Sequence, residues 1–414
     1  MAVGRSVTLI LCDAAGKTLG ALPSFAVDDP WWPEAHPVVT VARDRFGVEV
    51  IVLRMLSVVS DSFNGGDVTY LAELVGERPP DLPINPSPAI EDAEEPLRAA
   101  WARPGGVAHT LTWADAALQR IGRPRVERAD QIKTWNLSSV LRLPTAAGDV
   151  WCKSVPPFLT HEGTIIALVA ADDLALVPPL LASDLTSNTV LLGDVPGEDE
   201  WDAPEERLIT MVDSLVRLQA RWAGRTDALL DAGLPDWRAP SLGHLVDALA
   251  ARADVRVQLT NDELHDLDVL VEKLPDRFAA LEACGIPETL VHGDFHPGNW
   301  RSDGRSLVLL DWGDVGVGHP MLDVPSFEEY VPDEIGPRIR QEWTDAWRRE
   351  QPGSDPARAE ALIGPIAALR RAVIYQGFLD RIERSERPYH ESDVRDWLRA
   401  ALEAAAEDQG QLHA

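Results

Sequence analysis

Residues 290–314 (LVHGDFHPGNWRSDGRSLVLLDWGD) contain side chains whose types and spacing suit phosphoryl transfer. His292, Asp294 and Asn299 follow the pattern H-x-D-x-x-x-x-N, and a second carboxylate, Asp311, ends the apolar run LVLL. Catalytic loops of phosphoryl-transfer enzymes have this layout. The spacing therefore predicts a strand–turn–strand unit that brings an amide and two carboxylates to one side of a cleft.

Each polar side chain of this stretch matches a requirement of phosphoryl transfer. An attacking hydroxyl needs a carboxylate within hydrogen-bond reach to orient it and accept its proton, and Asp294 is the candidate. Mg²⁺, which accompanies ATP, takes oxygen ligands, and Asn299 and Asp311 offer an amide oxygen and a carboxylate. Pro297 and Gly298 suit the sharp bend of the loop. The alternative is an ordinary strand–turn–strand whose polar residues share no role.

The segments HGDFHPGN and LLDWGDVGVGHPMLDV closely resemble the aminoglycoside phosphotransferase and choline kinase superfamily. These proteins are small-molecule kinases with a fold related to that of protein kinases. The resemblance implies that Asp294 is the catalytic base and that Asn299 and Asp311 bind Mg²⁺. It also implies that His292 organises the loop from a buried position and that Asp323 is a structural carboxylate.

The resemblance covers residues 126–414, about two-thirds of the chain, and is most specific over residues 290–323. His319 departs from the family pattern, because many relatives carry an acidic residue before Pro320. This departure lies outside the base and the metal ligands. It therefore affects the identity of the acceptor rather than the chemistry.

The composition excludes some functions and leaves others open. The chain has 414 residues, 45% of them hydrophobic, and a formal net charge of −29. Nonspecific nucleic-acid binding requires clustered Lys and Arg, so this charge argues against a nucleic-acid partner. A strongly acidic chain can attract a cationic acceptor, but solubility, or a generally acidic proteome, is the simpler explanation of the charge.

The cysteines and the hydropathy pattern predict a cytoplasmic protein without a membrane segment. The three cysteines (Cys12, Cys152 and Cys284) are far apart in sequence and form no C-x-x-C pair, as expected for reduced, separately packed thiols. No run of eighteen apolar residues predicts a transmembrane helix. The N-terminus also lacks the pattern of a signal peptide.

Residues 1–77 are predicted to form a separate β-rich domain. Apolar runs at 7–12, 18–27, 37–42, 48–58 and 68–75 alternate with turn residues, which is typical of strands. The segments VVTVARDRFG and GGDVTYLAELVGE faintly resemble Nudix sheets, but the Glu-rich metal-binding helix is missing, so no hydrolase activity is expected. This domain is a candidate for capping the small lobe or for forming a homodimer.

Residues 78–125 have the composition of a linker followed by a short helix. Seven prolines and the acidic run EDAEE occupy residues 79–104, and such composition favours an extended connection. Trp101 is a candidate anchor for this segment. Residues 112–121 are predicted to be helical, with Thr112 as N-cap and Asp115 in a weak capping box.

Residues 126–195 are predicted to be the small lobe of the kinase fold. Residues 132–143 suit two strands joined by WNLSS, which replaces the glycine-rich phosphate loop. Backbone amides and the hydroxyls of Ser138 and Ser139 could contact phosphate there, whereas the alternative is a plain hairpin. By resemblance, the backbone at Gly193–Val195, after strands at 176–181 and 188–192, meets the adenine edge.

Lys153 and Glu162 are predicted to form the ion pair that positions nucleotide phosphates. Lys153 lies on a predicted strand at 150–153, and Glu162 begins the apolar helix predicted at 163–171. A strand lysine that binds the α- and β-phosphates must be held by a glutamate on the following helix, and the family shows this order. The alternative is a surface lysine and a glutamate placed favourably at a helix N-terminus.

Residues 196–414 are predicted to be the helical large lobe, because apolar residues recur at spacings of three and four over 204–232, 241–249, 262–283, 357–382 and 391–406. Tyr375 and Gln376 are candidates for an acceptor pocket, since relatives build theirs from C-terminal helices. Trp312 and Asp314 are further candidates, because an aromatic ring can stack on a sugar or a cation. The alternative is that Trp312 fills the core and Asp314 caps a turn.

The predicted fold is therefore α+β: a bilobal protein-kinase-like fold, with a β-rich N-lobe and a helical C-lobe, preceded by an extra β-rich domain. The predicted function is transfer of phosphate from ATP, with Mg²⁺, to a hydroxyl of a sugar, amino sugar or aminoglycoside. Choline-like and amino-acid acceptors stay open. The alternatives are a nucleotide-binding regulatory protein without transferase activity and a kinase that modifies protein side chains.

Overall fold

The computed structural model describes residues 4–61, 64–87, 90 and 95–407. These residues form two compact units. The first contains the chain up to Gly163, Pro179–Asp194 and Arg381–Tyr389, and the second contains Thr164–Pro178, Val195–Asp380 and the chain from His390. The described residues do not include Pro88 or residues 91–94, which belong to the predicted linker, or residues 408–414. The predicted domain boundaries at residues 77, 125 and 195 stay predictions.

The first unit begins with a five-stranded sheet made of β1 (Arg5–Cys12), β2 (Thr18–Ala21), β3 (Phe25–Val27), β4 (Glu49–Val59) and β5 (Gly66–Val75). Strand β1 pairs in parallel with β5 and antiparallel with β2 and β3, while β4 pairs with β5. Val7, Leu9 and Leu11 of β1 are buried, because alternate side chains of a strand point to the same face. The predicted β-rich character of this region is confirmed.

One predicted strand of this region, at 37–42, is a helix. Helix α1 (His36–Phe46) has proline in its first turn and ends at Gly47, which has the left-handed φ of 67°. Proline suits the first helical turn and glycine suits the position after the last. The valines of this segment favour a strand by propensity, but Val38, Val39 and Ala42 lie on one helical face and are buried together. Tertiary burial therefore overrides the local preference.

Two smaller predictions are also wrong. The single strand predicted at 18–27 is interrupted between β2 and β3, where Pro23 has no N–H to donate. Thr112 is not an N-cap, because helix α2 (Gly106–Arg120) begins six residues earlier and the Thr112 hydroxyl donates to the Ala108 carbonyl within it at 2.8 Å. The helix itself is confirmed, and Trp101 is buried just before it.

A second five-stranded sheet completes the strands of the first unit. It contains β6 (Asp130–Thr134), β7 (Ser139–Leu143), β8 (Val150–Ser154), β9 (Leu180–Asp184) and β10 (Thr189–Gly193), in the order β6-β7-β8-β10-β9 and antiparallel throughout. The strand predicted at 176–181 begins only at Leu180. Pro178 and Pro179 precede it, and neither can donate to a ladder.

The segment Arg381–Tyr389 belongs to the first unit although it lies late in the chain. The carboxylate of Glu386 accepts a hydrogen bond of 2.7 Å from the backbone N–H of Met55, at an irregularity of the β4–β5 ladder. Tyr389 packs against Trp32 and Trp135, with ring centroids 5.7 and 5.8 Å apart. These contacts tie a late segment to both sheets of the first unit.

The second unit consists mainly of helices. Helix α3 (Glu162–Asp172) begins at the end of the first unit, and the others are α4 (Glu205–Trp222), α5 (Thr226–Asp231), α6 (Ala239–Ala250), α7 (Ala253–Arg256), α8 (Asn261–Glu272), α9 (Leu274–Glu282), α10 (Val324–Glu328), α11 (Gly336–Glu350), α12 (Pro356–Leu379) and α13 (Asp393–Glu407). The helices predicted at 204–232 and 262–283 are each divided. Gly224, with φ of 74°, lies in the first break, and Pro275 lies just after the second.

The short strands of the second unit carry the loop predicted to be catalytic. They are β11 (Glu198–Asp199), β12 (Thr289–Val291), β13 (Trp300–Ser302), β14 (Leu307–Leu309) and β15 (Gly316–Gly318). Strands β13 and β14 form a hairpin that also pairs with β11, and β12 pairs with β15. The loop from His292 to Asn299 therefore connects two small sheets.

The predicted fold class is confirmed by this distribution of elements, with strands concentrated in the first unit and helices in the second. Among the described residues, no helix is both long enough and apolar enough to cross a membrane.

Candidate active site

A buried carboxylate holds the backbone where the candidate catalytic loop begins. Asp323 accepts hydrogen bonds from the backbone N–H groups of His292 and Gly293, at 2.9 and 2.8 Å, and from the side-chain amide of Gln219 at 2.9 Å. Burial raises the pKa of Asp323 to about 6, although the two backbone donors and the charge of Arg370 oppose that shift. The geometry agrees with the structural role that the resemblance implies for Asp323.

His292 lies fully buried beneath the loop. One ring nitrogen, Nε2, lies 3.2 Å from the carbonyl oxygen of Leu310, and the imidazole packs against the indole of Trp312 with centroids 5.0 Å apart. Burial lowers the pKa of His292 to about 4, so the ring is neutral at physiological pH. A neutral, enclosed imidazole suits an organising role and does not suit proton exchange with a substrate.

Asp294 presents an ionised carboxylate at the surface of the second unit. Its side chain is 43% exposed. The Asn299 amide donates to the main-chain oxygen of Asp294 at 2.8 Å and to its carboxylate at 3.0 Å, and His296 Nε2 lies 3.5 Å from the same carboxylate. Partial burial favours a higher pKa for Asp294, but the hydrogen bonds from His296 and from the Asn299 amide outweigh it. The pKa of Asp294 therefore lies well below its ordinary value.

Asn299 and Asp311, the candidate Mg²⁺ ligands, are joined through the backbone. The N–H of Leu310, next to Asp311, donates to the carbonyl of Asn299 at 2.7 Å. Because the Asn299 amide nitrogen is directed at Asp294, its oxygen is the end that can face a cation. Asp311 adopts a φ of 55°, which is uncommon for a residue other than glycine. An amide oxygen and a carboxylate fit the ligand preference of Mg²⁺.

The described residues contain no cluster of three or more His, Cys, Asp or Glu side chains arranged to hold a metal ion. The candidate ligand pair contributes only one carboxylate and one amide. This donor set suits an ion that keeps several waters and shares phosphate oxygens.

Lys153 and Glu162 form the ion pair that the sequence predicts. The ammonium of Lys153, on β8, lies 3.1 Å from the carboxylate of Glu162, at the start of α3. Lys153 is only 13% exposed, so it is not the surface lysine of the alternative interpretation. The pair is present in the first unit, and its role towards phosphate stays a prediction.

Ser138 and Ser139, the predicted phosphate contacts, are both buried in the first unit. The hydroxyl of Ser138 accepts a hydrogen bond of 2.8 Å from the indole of Trp135. Ser139 lies in β7 between Thr134 and Ser154 of the neighbouring strands. A phosphate contact through either hydroxyl stays a prediction, and the indole already occupies one of them.

The backbone predicted to meet adenine is partly engaged within each unit. In the first unit, the N–H of Gly193 donates to the carbonyl of Pro179 at 2.7 Å. In the second unit, the carbonyl of Val195 accepts a hydrogen bond of 2.7 Å from Arg301. Recognition of adenine here stays a prediction that depends on the remaining backbone groups.

The four predicted acceptor contacts differ in accessibility. Trp312 is fully buried and its indole donates to the Leu309 carbonyl at 2.9 Å, which favours the alternative in which it fills the core. Gln376 is buried and bonded to Asp380 at 3.0 Å. Tyr375 and Asp314 are half-buried. Contact between these four side chains and an acceptor stays a prediction. Of the four, the fully buried Trp312 is the least suited to such a contact.

An aromatic cluster beside Asp294 was missed by the sequence analysis. Trp201 stacks on His296 with ring centroids 5.0 Å apart and an interplanar angle of 21°. Tyr330 meets both rings, at 5.3 Å from Trp201 and 5.1 Å from His296. Only His296 belongs to the recognised loop, and no spacing rule links the other two residues to it.

Comparison with known protein families identifies the class of protein. The chain belongs to the phosphotransferase enzyme family (APH), whose family model matches residues 132–362, more than half of the chain. The matched range includes Lys153, Glu162 and the whole candidate catalytic loop. The resemblance inferred from the two motifs is confirmed, and the chain is a member of this phosphotransferase family.

The solved structures that are similar to this chain include proteins named as kinases and phosphotransferases. A choline/ethanolamine kinase family protein from Mesorhizobium loti is 13% identical to this chain, with a TM-score of 0.49. The match covers 72% of this chain and 99% of the Mesorhizobium loti chain. A macrolide 2′-phosphotransferase from Brachybacterium faecium is 17% identical to this chain, with a TM-score of 0.47. The match covers 68% of this chain and 97% of the Brachybacterium faecium chain.

A choline kinase from Streptococcus pneumoniae is 13% identical to this chain, with a TM-score of 0.49. The match covers 71% of this chain and 99% of the Streptococcus pneumoniae chain. No substrate is carried over to this chain from these three proteins. No curated protein matches the chain significantly in sequence.

Proposed function

We propose that this protein transfers the terminal phosphate of ATP, with Mg²⁺, to a hydroxyl of a small polar molecule such as a sugar, an amino sugar or an aminoglycoside. The observation that carries the proposal is the state of Asp294. Its carboxylate is ionised, accessible and oriented by Asn299, on a loop whose backbone is clamped by Asp323. An ionised carboxylate within hydrogen-bond reach of the acceptor can orient an alcohol and accept its proton.

Asp294 would act on the acceptor directly. Its carboxylate would accept a hydrogen bond from the attacking hydroxyl and take the proton as the hydroxyl oxygen bonds to the terminal phosphorus, while the bond from that phosphorus to the bridging oxygen breaks and ADP leaves. The Asn299 amide holds the carboxylate by its 3.0 Å hydrogen bond, so the base need not reorganise during the step. The reaction is mainly a matter of positioning and electrostatics, and no covalent enzyme intermediate is required.

The remaining predicted residues would hold the nucleotide. Lys153, kept in place by Glu162, is the candidate for the α- and β-phosphates. Asn299 and Asp311 are the candidate ligands of Mg²⁺, which neutralises charge on the phosphates when it is bound. Since the three buried cysteines form no disulfide, a reducing cytoplasmic environment is part of the proposal.

The test is an ADP-release assay with Mg-ATP and a panel of amino sugars, neutral sugars, aminoglycosides and choline. Wild type is compared with Asp294→Asn, which keeps the shape of the side chain and removes its basicity. Asp333→Asn is the matched control, because Asp333 is an exposed aspartate of the same unit. Loss of a general base lowers rates by about 100- to 10,000-fold.

Acceptor-dependent ADP release that falls by that factor in Asp294→Asn and persists in Asp333→Asn would support the proposal. Equal activity in wild type and Asp294→Asn would show that another group is the base. ATP binding without acceptor-dependent turnover across the panel would favour the regulatory alternative, a nucleotide-binding protein without transferase activity.

A further inference from the structure

A cavity of 810 Å³ lies within the second unit, and its walls come from α6, α9 and the segment that precedes β12. The residues that line it do not include Asp294, Asn299 or Asp311. Most of the lining is apolar. The apolar side chains include Leu274, Phe278, Leu281, Ile286, Leu322 and Ile366. A volume of this size suits a small organic molecule.

The cavity and the candidate catalytic loop lie at opposite ends of β12. Glu288, which lines the cavity, precedes the first residue of this strand, and His292 of the loop follows its last residue. Each strand residue extends the chain by about 3.3 Å, so the length of the strand separates the two sites. His319 also lies at the cavity end, because β15 pairs Gly318 with Thr289. The cavity is therefore separate from the surface around the candidate base.

His319 supplies a buried hydrogen-bond donor in the cavity wall. Its Nδ1 accepts a hydrogen bond of 3.3 Å from the N–H of Met321, so the hydrogen of the neutral ring is carried by Nε2. Burial lowers the pKa of His319 to about 3, which keeps the imidazole neutral. The side chain is 8% exposed, and Nε2 has no hydrogen-bond partner among the described residues. A buried donor without an acceptor is costly, and an acceptor on a bound molecule would satisfy it.

A second buried donor lies in the same wall. The indole of Trp237, which lines the cavity, packs on β15, where a Cβ atom built on Gly316 would overlap it. Its Nε1 also lacks a hydrogen-bond partner in the described part of the chain. His319 directly follows β15, so the two N–H groups come from side chains at one strand. Both donors are neutral, and the acceptor that they lack therefore needs no negative charge.

The carboxylates around the cavity disfavour an anion. Asp247, Glu282 and Glu288 all line it. Burial raises the pKa of Glu288, and Arg238, 3.9 Å away, offsets part of this acidic charge. A bound anion would meet these carboxylates, and its burial without a paired cation would be costly. An ammonium group carries only donors, so it would leave the two N–H groups unsatisfied. The chemistry of the wall therefore favours an uncharged molecule.

We propose that this cavity binds a neutral, mainly apolar small molecule that carries a carbonyl oxygen or a similar hydrogen-bond acceptor. The acceptor receives a hydrogen bond from Nε2–H of His319. A carbonyl oxygen has two lone pairs, so it can also accept from the indole of Trp237. The apolar body lies against Phe278, Leu281 and Ile366. This inference concerns a second site and does not depend on phosphate transfer.

The test compares three molecules that share a phenylethyl body and differ in the polar end. Benzylacetone carries a ketone, hydrocinnamate a carboxylate and phenylpropylamine an ammonium group. Binding to the full chain, without ATP, is measured by saturation-transfer NMR. Benzylacetone is expected to bind with a Kd of about 1 mM or lower. The other two are expected to bind at least about fivefold more weakly, because they lose the hydrogen bond or add an unfavourable charge.

A direct readout comes from the imidazole itself. In protein labelled with ¹⁵N-histidine, the Nε2–H resonance of His319 is assigned by its absence in His319→Phe. Benzylacetone is expected to shift this resonance, because its carbonyl accepts from that N–H. His319→Phe keeps a ring and removes the donor. It is expected to weaken benzylacetone binding about fivefold, the effect of one neutral hydrogen bond, and to leave phenylpropylamine binding unchanged.

A cavity-filling variant tests the location. Gly243 lines the cavity from within α6, and a Cβ atom built there would lie 3.8 Å from Phe278, an ordinary contact. Gly243→Leu is therefore expected to occupy the space without displacing the helix and to abolish benzylacetone binding. Gly243→Ala is the matched control, because it adds the same Cβ atom and fills little of the volume. It should bind benzylacetone within about twofold of wild type.

The inference is supported if benzylacetone binding is lost in Gly243→Leu, kept in Gly243→Ala and weakened in His319→Phe. It is overturned if benzylacetone does not bind at about 10 mM, if either charged molecule binds as tightly, or if Gly243→Leu binds it as wild type does. Circular dichroism shows whether each variant is folded. If His319→Phe is not, its assignment role passes to His319→Gln, and a wild-type His319 resonance that benzylacetone leaves unshifted overturns the inference.

Discussion

Replacement of Asp323 by alanine should destabilise the second unit strongly, because this carboxylate satisfies three buried donors at once. The donors are the backbone N–H groups of His292 and Gly293 and the amide of Gln219. None of them has room to turn towards water, since Asp323 and His292 are both fully buried. The buried Arg370 would also lose the charge of Asp323, which raises the pKa of Arg370 against the effect of burial.

The size of the effect follows from the number of donors. A buried donor left without an acceptor costs about 1–3 kcal/mol, so three donors give a loss of roughly 3–9 kcal/mol before any relaxation. A protein of ordinary stability unfolds with about 5–15 kcal/mol. Asp323→Ala is therefore expected to leave the second unit marginally folded. Asp323→Asn keeps one acceptor oxygen and should lose roughly half as much.

The assay is urea unfolding followed by circular dichroism, with Asp333→Ala as the matched control on an exposed aspartate of the same unit. A protein with two compact units need not unfold in one step, so a single free energy of unfolding is not well defined. We therefore compare the urea midpoint of each variant with that of wild type. A parallel ADP-release assay should show that Asp323→Asn lowers kcat more than it raises KM, because the loop that carries Asp294 loses its clamp. If the urea midpoint of Asp323→Ala is the same as that of Asp333→Ala within experimental error, the reasoning is refuted.

Two further predictions concern ionisable side chains of the first unit. Lys153→Ala and Glu162→Ala should each raise the KM for ATP. The double variant should raise this KM little more than either single variant, because the two side chains act as one pair at 3.1 Å. Additive effects of the two substitutions on the KM would contradict this. Glu386 has a pKa raised to about 8 from an ordinary 4.5 by burial. A carboxyl with a higher pKa in the folded state ionises more readily when unfolded, so it makes the wild type less stable as pH rises from 4.5 to 8. Glu386→Gln should remove that decline while keeping an acceptor for Met55, and thermal melting of both proteins at pH 5.5 and 8.5 would show it; parallel pH profiles would exclude the mechanism.

The sequence by itself predicted the family, the fold class and the layout of the candidate catalytic loop. These are local properties. The spacing from His292 to Asn299 and the hairpin that returns to Asp311 lie within about twenty residues, so turn chemistry and strand pattern determine them. The pairing of Lys153 with Glu162 was predictable for the same reason, since a strand and the next helix are neighbours along the chain.

Local pattern failed where burial overrode propensity. The valine-rich segment around Pro37 suits a strand by residue type, yet it forms α1, because that helix buries one face in the first unit. Thr112 has the chemistry of an N-cap but lies inside α2. For α1 the contacts come from distant parts of the chain, and a local window does not contain them.

Only the tertiary structure decided what surrounds the base. Trp201 and Tyr330 reach the loop from 95 residues before and 34 residues after His296, so no spacing rule connects them to it. Tertiary packing also buries Trp312, which the sequence offered as a substrate contact, and places Tyr389 in the core of the first unit. Motifs within one turn or hairpin are set by short-range geometry, whereas the surface that meets a substrate is assembled from segments that only folding brings together.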